Sequence, residues 1–493
     1  MSHPLPRWPR PLLPPLDWQS LAVAFDAAVT DPDSRVTQRT DGGLHFTAFL
    51  EGDPDRHELI TLGGMTVGRL LGGKSAADWL PGLNAYFRPE WGLFCNGRDD
   101  DRTEYWYLMH VNALIVAISR MTGTPWLGRR LRTSLERIRD LGRRVDYDFD
   151  AQGFDFRRQR PFADRDAFRQ PDSIGGYGYL MLAGWELFGE AAFYREALIA
   201  LDRYQAFAAN PWYEVSNGAM AALAAARMAA TGEDLDVDDF LRRILDPVDG
   251  PLFTGNWGQA AIDGLMRGWR GFSREEASAT AYSLESLLPP AYVLPMVRYW
   301  PQLAETVAAY VLNVASNARW FFGGHLGAGA ESRPDLSDAV PYETLHRCHQ
   351  GIVPYASGDF FGHKSVYGGA VIAWLSRLLR PTSDPYVLAM DVGASDFLAP
   401  AASTRLIYNP WPEARRVGWE ALGDRVECYD LIAHTMMETG DGSAVEIAGG
   451  GVRLLSLLPR AGRTDLTVDG DRGFLIHAGT VIDYHYPHPR PPR

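Results

Sequence analysis

A chain of 493 residues, 46% hydrophobic and 22% charged, has ample material for a large core. Its formal net charge of −13 and pI near 5.4 argue against a nucleic-acid surface, which requires clustered Lys and Arg. Cys95, Cys348 and Cys428 are far apart and fit neither a disulfide framework nor a metal spacing.

In chain order, the Pro- and Arg-rich stretch Met1–Asp17 lacks the apolar core of a secretory signal. No run reaches the length of a membrane helix, so a cytoplasmic protein with no membrane partner is expected. Leu21, Val23, Ala24, Ala27 and Val29 give residues 17–30 a helical period. Segments 43–50 and 57–62 read as a short hairpin. Residues 105–120 are apolar on all sides and predict a buried helix, whereas 127–141 carry Arg129, Arg130, Arg132, Arg137 and Arg139 and predict an outer one. The same inner and outer alternation recurs at 174–188 with 191–208, and at 215–230 with 236–245, where Gly232 ends a helix. Ser273–Glu276 reads as a capping box opening a helix over 275–288, and further helices are expected over 302–322 and 364–379. No strict repeat period is visible, which argues against a solenoid.

Beyond Pro385 the texture changes to short alternating runs at 403–408, 415–420, 427–435, 444–447, 452–458, 466–468 and 473–477, separated by Asn-Pro, Gly-Asp and Gly-Gly turns. The expected organisation is a helical unit over 1–385 and a small antiparallel β-sandwich over 386–493.

One phrase repeats: a polar, acid- and aromatic-bearing loop runs into a helix of small residues. Glu104 precedes Tyr105, Asp172 precedes Ser173, Glu214 follows Trp212 and Tyr213, and Asp359 precedes Phe360, Phe361 and His363. The arrangement resembles the (α/α)6 six-hairpin toroid of many glycoside hydrolases and polysaccharide lyases, with a C-terminal β-domain. The resemblance is one of architecture and inner-loop style; it implies a mainly α, (α/α)6 fold and a carbohydrate substrate at the mouth.

Glycoside hydrolysis needs one carboxyl held protonated and one ionised. A helix N-terminus favours the ionised form, and burial among aromatics favours the protonated one. Glu214, Asp359 and Asp172 are therefore the catalytic candidates, each of which also suits a plain helix cap. Asp101 and Glu104 belong to a crowded acidic edge, of which Glu104 joins the binding candidates. Trp212 and Trp257 are the aromatic platforms; Trp269 and Trp300 read as packing residues. Tyr177, His363, Asn256, Arg169 and Tyr355 complete the substrate-binding set.

A uronate lyase would instead draw a Tyr or His base and a neutralising group from Tyr355, His346, His363, Arg169 and Asn256. A sugar 2-epimerase would want several His at the mouth, and a toroid that binds sugar without turnover is the non-enzyme reading. His346 and His349 flank Cys348 but lack a second ligand pair for zinc. The Gly-rich run 323–329 lacks the Lys-Ser/Thr of a phosphate loop, and no Gly-x-Ser-x-Gly elbow occurs. No metal and no cofactor are expected, and a homo-oligomer is left open.

Overall fold

The computed structural model describes residues 5–31, 34, 36–40, 43–51, 56–97, 101–269, 278–358, 364–419, 426–437, 444–459 and 465–487. The helices in chain order are α1 (Trp18–Thr30), α2 (Leu59–Leu71), α3 (Leu80–Leu83), α4 (Tyr105–Thr122), α5 (Pro125–Arg144), α6 (Ser173–Phe188) and α7 (Ala191–Gln205). They continue with α8 (Val215–Ala229), α9 (Val237–Leu245), α10 (Ser283–Leu287), α11 (Pro290–Tyr299), α12 (Ala304–Asn317), α13 (Val366–Gly369) and α14 (Ile372–Leu378).

Helix α2 packs on α4, α4 on α6, α6 on α8, α8 on α11, α11 on α14, and α14 back on α2, which closes a ring. The fifth and sixth inner positions are each built from two pieces, α10 with α11 and α13 with α14. Outside the ring, α5 and α7 flank α6, α9 backs α8, α12 backs α11, and α1 backs α14. The result is an (α/α)6 toroid.

The sequence dictates which helices go where. In α6 every residue from Ser173 to Gly184 is buried, as an inner helix requires. In α5 the buried apolar residues are Leu127, Leu131, Leu135, Ile138 and Leu141, a single stripe, with arginines on the other face. Glycines let the inner helices approach: a Cβ at Gly63 would lie 2.9 Å from Leu114 Cδ1, and one at Gly64 2.9 Å from Ala370 Cβ. The helices α4 and α6 end on left-handed Gly123 (φ 60°) and Gly189 (φ 71°), whose N–H groups return to Ser119 and Trp185 carbonyls. Each such turn sends the chain back along the outside, so all inner helices point the same way.

Several expectations need correction. Segment 57–62 is no strand: it opens α2, and the two-stranded hairpin is Thr37–Thr40 with Gly43–Phe46. Residues 280–282 form a strand rather than helix, pairing with Thr344–His346, and helix begins only at Ser283. Helix α11 was not among the expected elements; Pro290 occupies its first helical position, where a missing N–H costs nothing. The capping box Ser273–Glu276, Asp359 and His363 lie outside the described residues. No described helix is long and apolar enough to cross a membrane.

After α14 the chain enters a six-stranded antiparallel sheet, in spatial order Leu379–Pro381, Leu388–Asp391, Thr404–Tyr408, Val452–Pro459, Val426–Asp430 and Thr435–Met437. Its two faces alternate as period two demands. Met390, Leu406 and Leu454 join the core of the helical body, while Ala389, Ile407 and Leu455 meet Val417, Val445 and Ile447 of a two-stranded ribbon. Leu466–Asp469, Phe474–His477 and Thr480–Asp483 form a further three-stranded sheet.

A buried ionic knot ties sheet to ring. Arg298, in the last turn of α11, pairs with Asp396 and donates to the Pro400 carbonyl at 3.1 Å. The Tyr299 hydroxyl donates to the same Asp396 oxygen at 2.6 Å, and the Leu398 N–H to the other at 3.1 Å.

A Cβ at Gly175 would stand 2.8 Å from Ala221 Cβ and 2.9 Å from the Asn217 carbonyl. Alanine gains about 1 kcal/mol of helix propensity there, against about 1–3 kcal/mol for overpacking a closed interface. Gly175→Ala is therefore expected to lower stability by up to roughly 2 kcal/mol in denaturant unfolding; a gain in stability would show that α6 and α8 are not held this close.

Candidate active site

Because the inner helices run in parallel, their N-termini converge at one end of the ring. Glu58, Glu104, Asp172 and Glu214 are the residues immediately before α2, α4, α6 and α8, and Glu285 lies in the first turn of α10. Between these ends lies a cavity of about 390 Å³ lined by Glu104, Glu214, Glu285 and Glu343. Its other walls are Arg56, Trp106, Tyr107, Gln152, Phe168, Tyr213, Trp269 and Tyr367. That volume lies within the range of small-ligand sites.

The carboxyls differ in how they are held. Both oxygens of Glu104 accept amide N–H bonds, from Gln152 at 3.0 Å and Gln170 at 2.9 Å, and the Gln170 carbonyl oxygen accepts the Trp106 N–H at 2.7 Å. The Tyr367 hydroxyl donates to Glu343 Oε1 at 2.8 Å. Glu214 and Glu285 are each only 5% exposed, and one oxygen of each has no hydrogen-bond partner among the described residues. Burial pushes Glu285 up to about pKa 7. Burial, followed by the charges of Glu285, Asp172 and Glu104, holds Glu214 well above the usual carboxylate range. The helix-dipole contribution at an N-terminus, about 0.3–1 kcal/mol in favour of the anion, is outweighed here by dehydration and mutual repulsion.

The phenols stay neutral. Burial, then the charges of Glu58, Glu104 and Glu214, drives Tyr107 upward; burial, then Glu343 and Glu285, does the same to Tyr367, and burial raises Tyr213 as well. They are hydroxyl donors rather than bases. Arg56 Nε donates to Glu58 Oε1 at 2.7 Å, which commits the one cation of the wall among the described residues. Trp269 stacks between Tyr213 and Tyr282, at 6.1 and 5.5 Å between ring centroids, as a flat aromatic wall. Trp106 stacks on His110 at 5.0 Å, and burial holds that imidazole neutral, with a pKa lowered to about 3.

Of the sequence candidates, Glu214 and Glu104 meet in the cavity. Asp172 is fully buried behind it, where its Oδ2 accepts the Glu214 backbone N–H at 3.4 Å. Tyr177 turns outward, donating to Glu196 at 2.7 Å; Trp212 donates to the Asp249 carbonyl at 2.7 Å; and Trp257 packs on Phe253. Asn256 is exposed on a short strand, Arg169 pairs with Asp166 on the surface, and Tyr355 packs on His349. None of these six lines the cavity. His346 lies on a strand rather than a helix, its Nε2 at 2.8 Å from Ser357 Oγ. Among the described residues no cluster of His, Cys, Asp and Glu is arranged to hold a metal.

Sequence reasoning missed Glu285, Glu343, Tyr107, Tyr213 and Tyr367, and it assigned Trp269 to packing. Tyr282-Ser-Leu-Glu285 carries the same aromatic-then-acid signal as the other openings. It was hidden because the helix start was placed eight residues too early, at Glu275. Glu343 carries no helical signal, since it precedes a strand.

Ring and mouth together define an (α/α)6 toroid with an acidic, aromatic-walled cavity at the N-terminal ends of its inner helices. No family model matches the chain, and no curated protein matches it. Among solved structures it is similar to a family 76 glycoside hydrolase from a bovine Bacteroides thetaiotaomicron strain, at 10% identity, TM-score 0.45, and 74% and 77% coverage of the two chains. It is similar to a cellobiose 2-epimerase from Spirochaeta thermophila, at 10% identity, TM-score 0.47, and 73% and 96% coverage. A family 127 beta-L-arabinofuranosidase from Geobacillus stearothermophilus matches over 94% of this chain and 80% of its own, at 10% identity and TM-score 0.38.

The titration of Glu285 sets a stability signature. Its folded pKa, about 7, exceeds the unfolded value, so its contribution is complete below about pH 4 and lost as pH rises through 7. Glu285→Gln is expected to leave Tm nearly unchanged at pH 4 and to raise stability at pH 8 by on the order of 3 kcal/mol at most. A Tm change independent of pH would place Glu285 in a solvated setting.

Proposed function

We propose that the protein is a glycoside hydrolase whose proton transfers are carried by Glu214 and Glu285. The supporting observation is a pair of buried carboxyls in one aromatic-walled cavity, both held above the usual carboxylate range, Glu285 at about 7. Because the two carboxyls repel each other's charge, the pair gives up its protons in separate steps, which provides a general acid and a general base at the same pH. The sugar's C–H faces pack on Trp269, Tyr213 and Trp106, while Tyr107, Tyr367 and Gln152 offer hydroxyl and amide partners. Asp172 is a positioning residue that anchors the Glu214 backbone.

The uronate-lyase alternative has less support. Its Tyr base would have to ionise in a cavity that drives phenols neutral, and Arg56 is already paired. An epimerase using histidine finds no His on the described cavity wall.

Reducing-end release from a panel of oligosaccharides identifies the substrate. On it, Glu214→Gln and Glu285→Gln are each expected to lower kcat by about 10²–10⁴-fold, with cooperative unfolding retained. Full activity in both variants would sink the assignment. The pH profile of kcat/KM is expected to be bell-shaped, rising near pH 7 as the pair loses its first proton and falling as it loses the second. Loss of either carboxyl should collapse the bell to a single limb. A product absorbing in the ultraviolet as an unsaturated uronate would establish lyase chemistry instead.

A further inference from the structure

At the end of the ring opposite the mouth, α1, α2 and α14 enclose a second cavity, of about 210 Å³. Its wall is basic, in a chain of net charge −13. Arg69 from the last turn of α2, Lys74 just beyond it and Arg377 from the last turn of α14 line it. They face one carboxylate among the described residues, Asp26 of α1, and Lys74 takes that carboxylate at 3.2 Å. Arg69 and Arg377 have no carboxylate partner among the described residues, even with Arg380, a further cation of the wall, left out of the balance.

Basic side chains at helix C-termini commonly serve the last carbonyls, but those carbonyls already have donors here. The N–H groups of Gly72, Gly73 and Lys74 donate to the carbonyls of Gly68, Leu70 and Arg69. Gln19 Nε2 donates to the Ser376 and Leu379 carbonyls at 2.9 and 2.6 Å. Arg69 spends its Nε on the Ser75 carbonyl at 2.5 Å and rests its guanidinium over the Trp79 ring, 4.8 Å from the centroid. Its two Nη groups keep their N–H donors, and the half-buried Arg377 keeps all of its own.

The ligand that suits this wall is a compact anion, since the cavity falls below the roughly 300 Å³ at which pockets for drug-sized ligands begin. Two guanidiniums without a counter-charge are matched by a phosphomonoester, which carries about −1.5 to −2 near pH 7, and not by a carboxylate, which carries one charge. The guanidinium fork also fits a pair of phosphate oxygens. Phe25 and Met65 give the same cavity apolar surface for a small organic remainder. We propose that this cavity binds a phosphoryl dianion, as inorganic phosphate or as a small phosphomonoester, between Arg69 and Arg377. The site is independent of the catalytic reading, because it shares no residue with the wall of the mouth.

The test is thermal unfolding and titration calorimetry on the full chain at neutral pH. The probes are inorganic phosphate, glycerol 3-phosphate and glucose 6-phosphate against chloride, acetate and glucose at matched ionic strength. The expected result is a saturable rise in Tm with the phosphates alone, as binding to the folded state requires. Arg377→Gln removes no hydrogen bond or ion pair among the described residues, so it should retain cooperative unfolding while weakening phosphate binding at least tenfold. Arg69→Gln should weaken it similarly, whereas Arg137→Gln, on the outer face of α5, should leave it as in the parent. Inorganic phosphate binding as tightly as the esters identifies the free ion as the ligand; esters binding at least tenfold tighter identify a phosphomonoester. An equal rise with acetate or chloride, no saturable rise with any phosphate, or unaltered binding in Arg377→Gln overturns the proposal. Glu214→Gln should bind the phosphates as the parent does; loss of binding in that variant would place the anion at the mouth and overturn the proposal as well.

Discussion

Close approach of the inner helices is the constraint on which the rest depends. Gly63 against Leu114, Gly64 against Ala370 and Gly175 against Ala221 leave no room for a methyl group, so the ring's diameter is set by absent side chains. Backbone contact follows: the Trp374 indole N–H reaches the Gly64 carbonyl at 2.9 Å across the α14–α2 seam. A wider ring would separate the helix N-termini and give each loop acid its own hydration shell. In the narrow ring the acids share one small volume of water, and sharing is what perturbs them.

The electrostatics are a contest with a clear order of magnitude. Helix ends pull toward the anion by a fraction of a kcal/mol to about 1 kcal/mol each. Dehydration pushes the other way, far enough to bring Glu285 to about 7, and together with the charges of its neighbours it holds Glu214 well above the usual carboxylate range. Glu104 is held by two glutamine donors, and Asp172 is withdrawn behind the Glu214 amide. Acids with the same sequence context thus acquire different tasks from their second neighbours.

Much of the ring was legible because apolar and Arg-rich segments alternate, which separates buried α4 and α6 from outer α5. Helix α2 was not legible. Its Leu-Ile-Thr-Leu-Gly-Gly-Met-Thr-Val-Gly run is rich in β-branched residues and glycine, and local propensity reads it as strand or turn. Tertiary packing overrides propensity there, since those glycines are what lets α2 lie against α4 and α13. At the site, Glu214 and Glu104 were visible as acids opening inner helices. Tyr177, Trp257 and Trp212 shared the composition of the openings but point elsewhere, and period alone cannot tell an inward face from an outward one when a helix is buried all round. Glu343 lies just before a strand, so no helical rule could have found it.

The Arg298–Asp396 knot has a consequence for modularity. A buried arginine deprived of its partner leaves an uncompensated charge, a loss of about 3–5 kcal/mol, comparable to much of a domain's margin of stability. Exchanging the C-terminal sheet at the junction after α14 would strand that arginine, so any substitute would have to arrive with its own acid in register with α11.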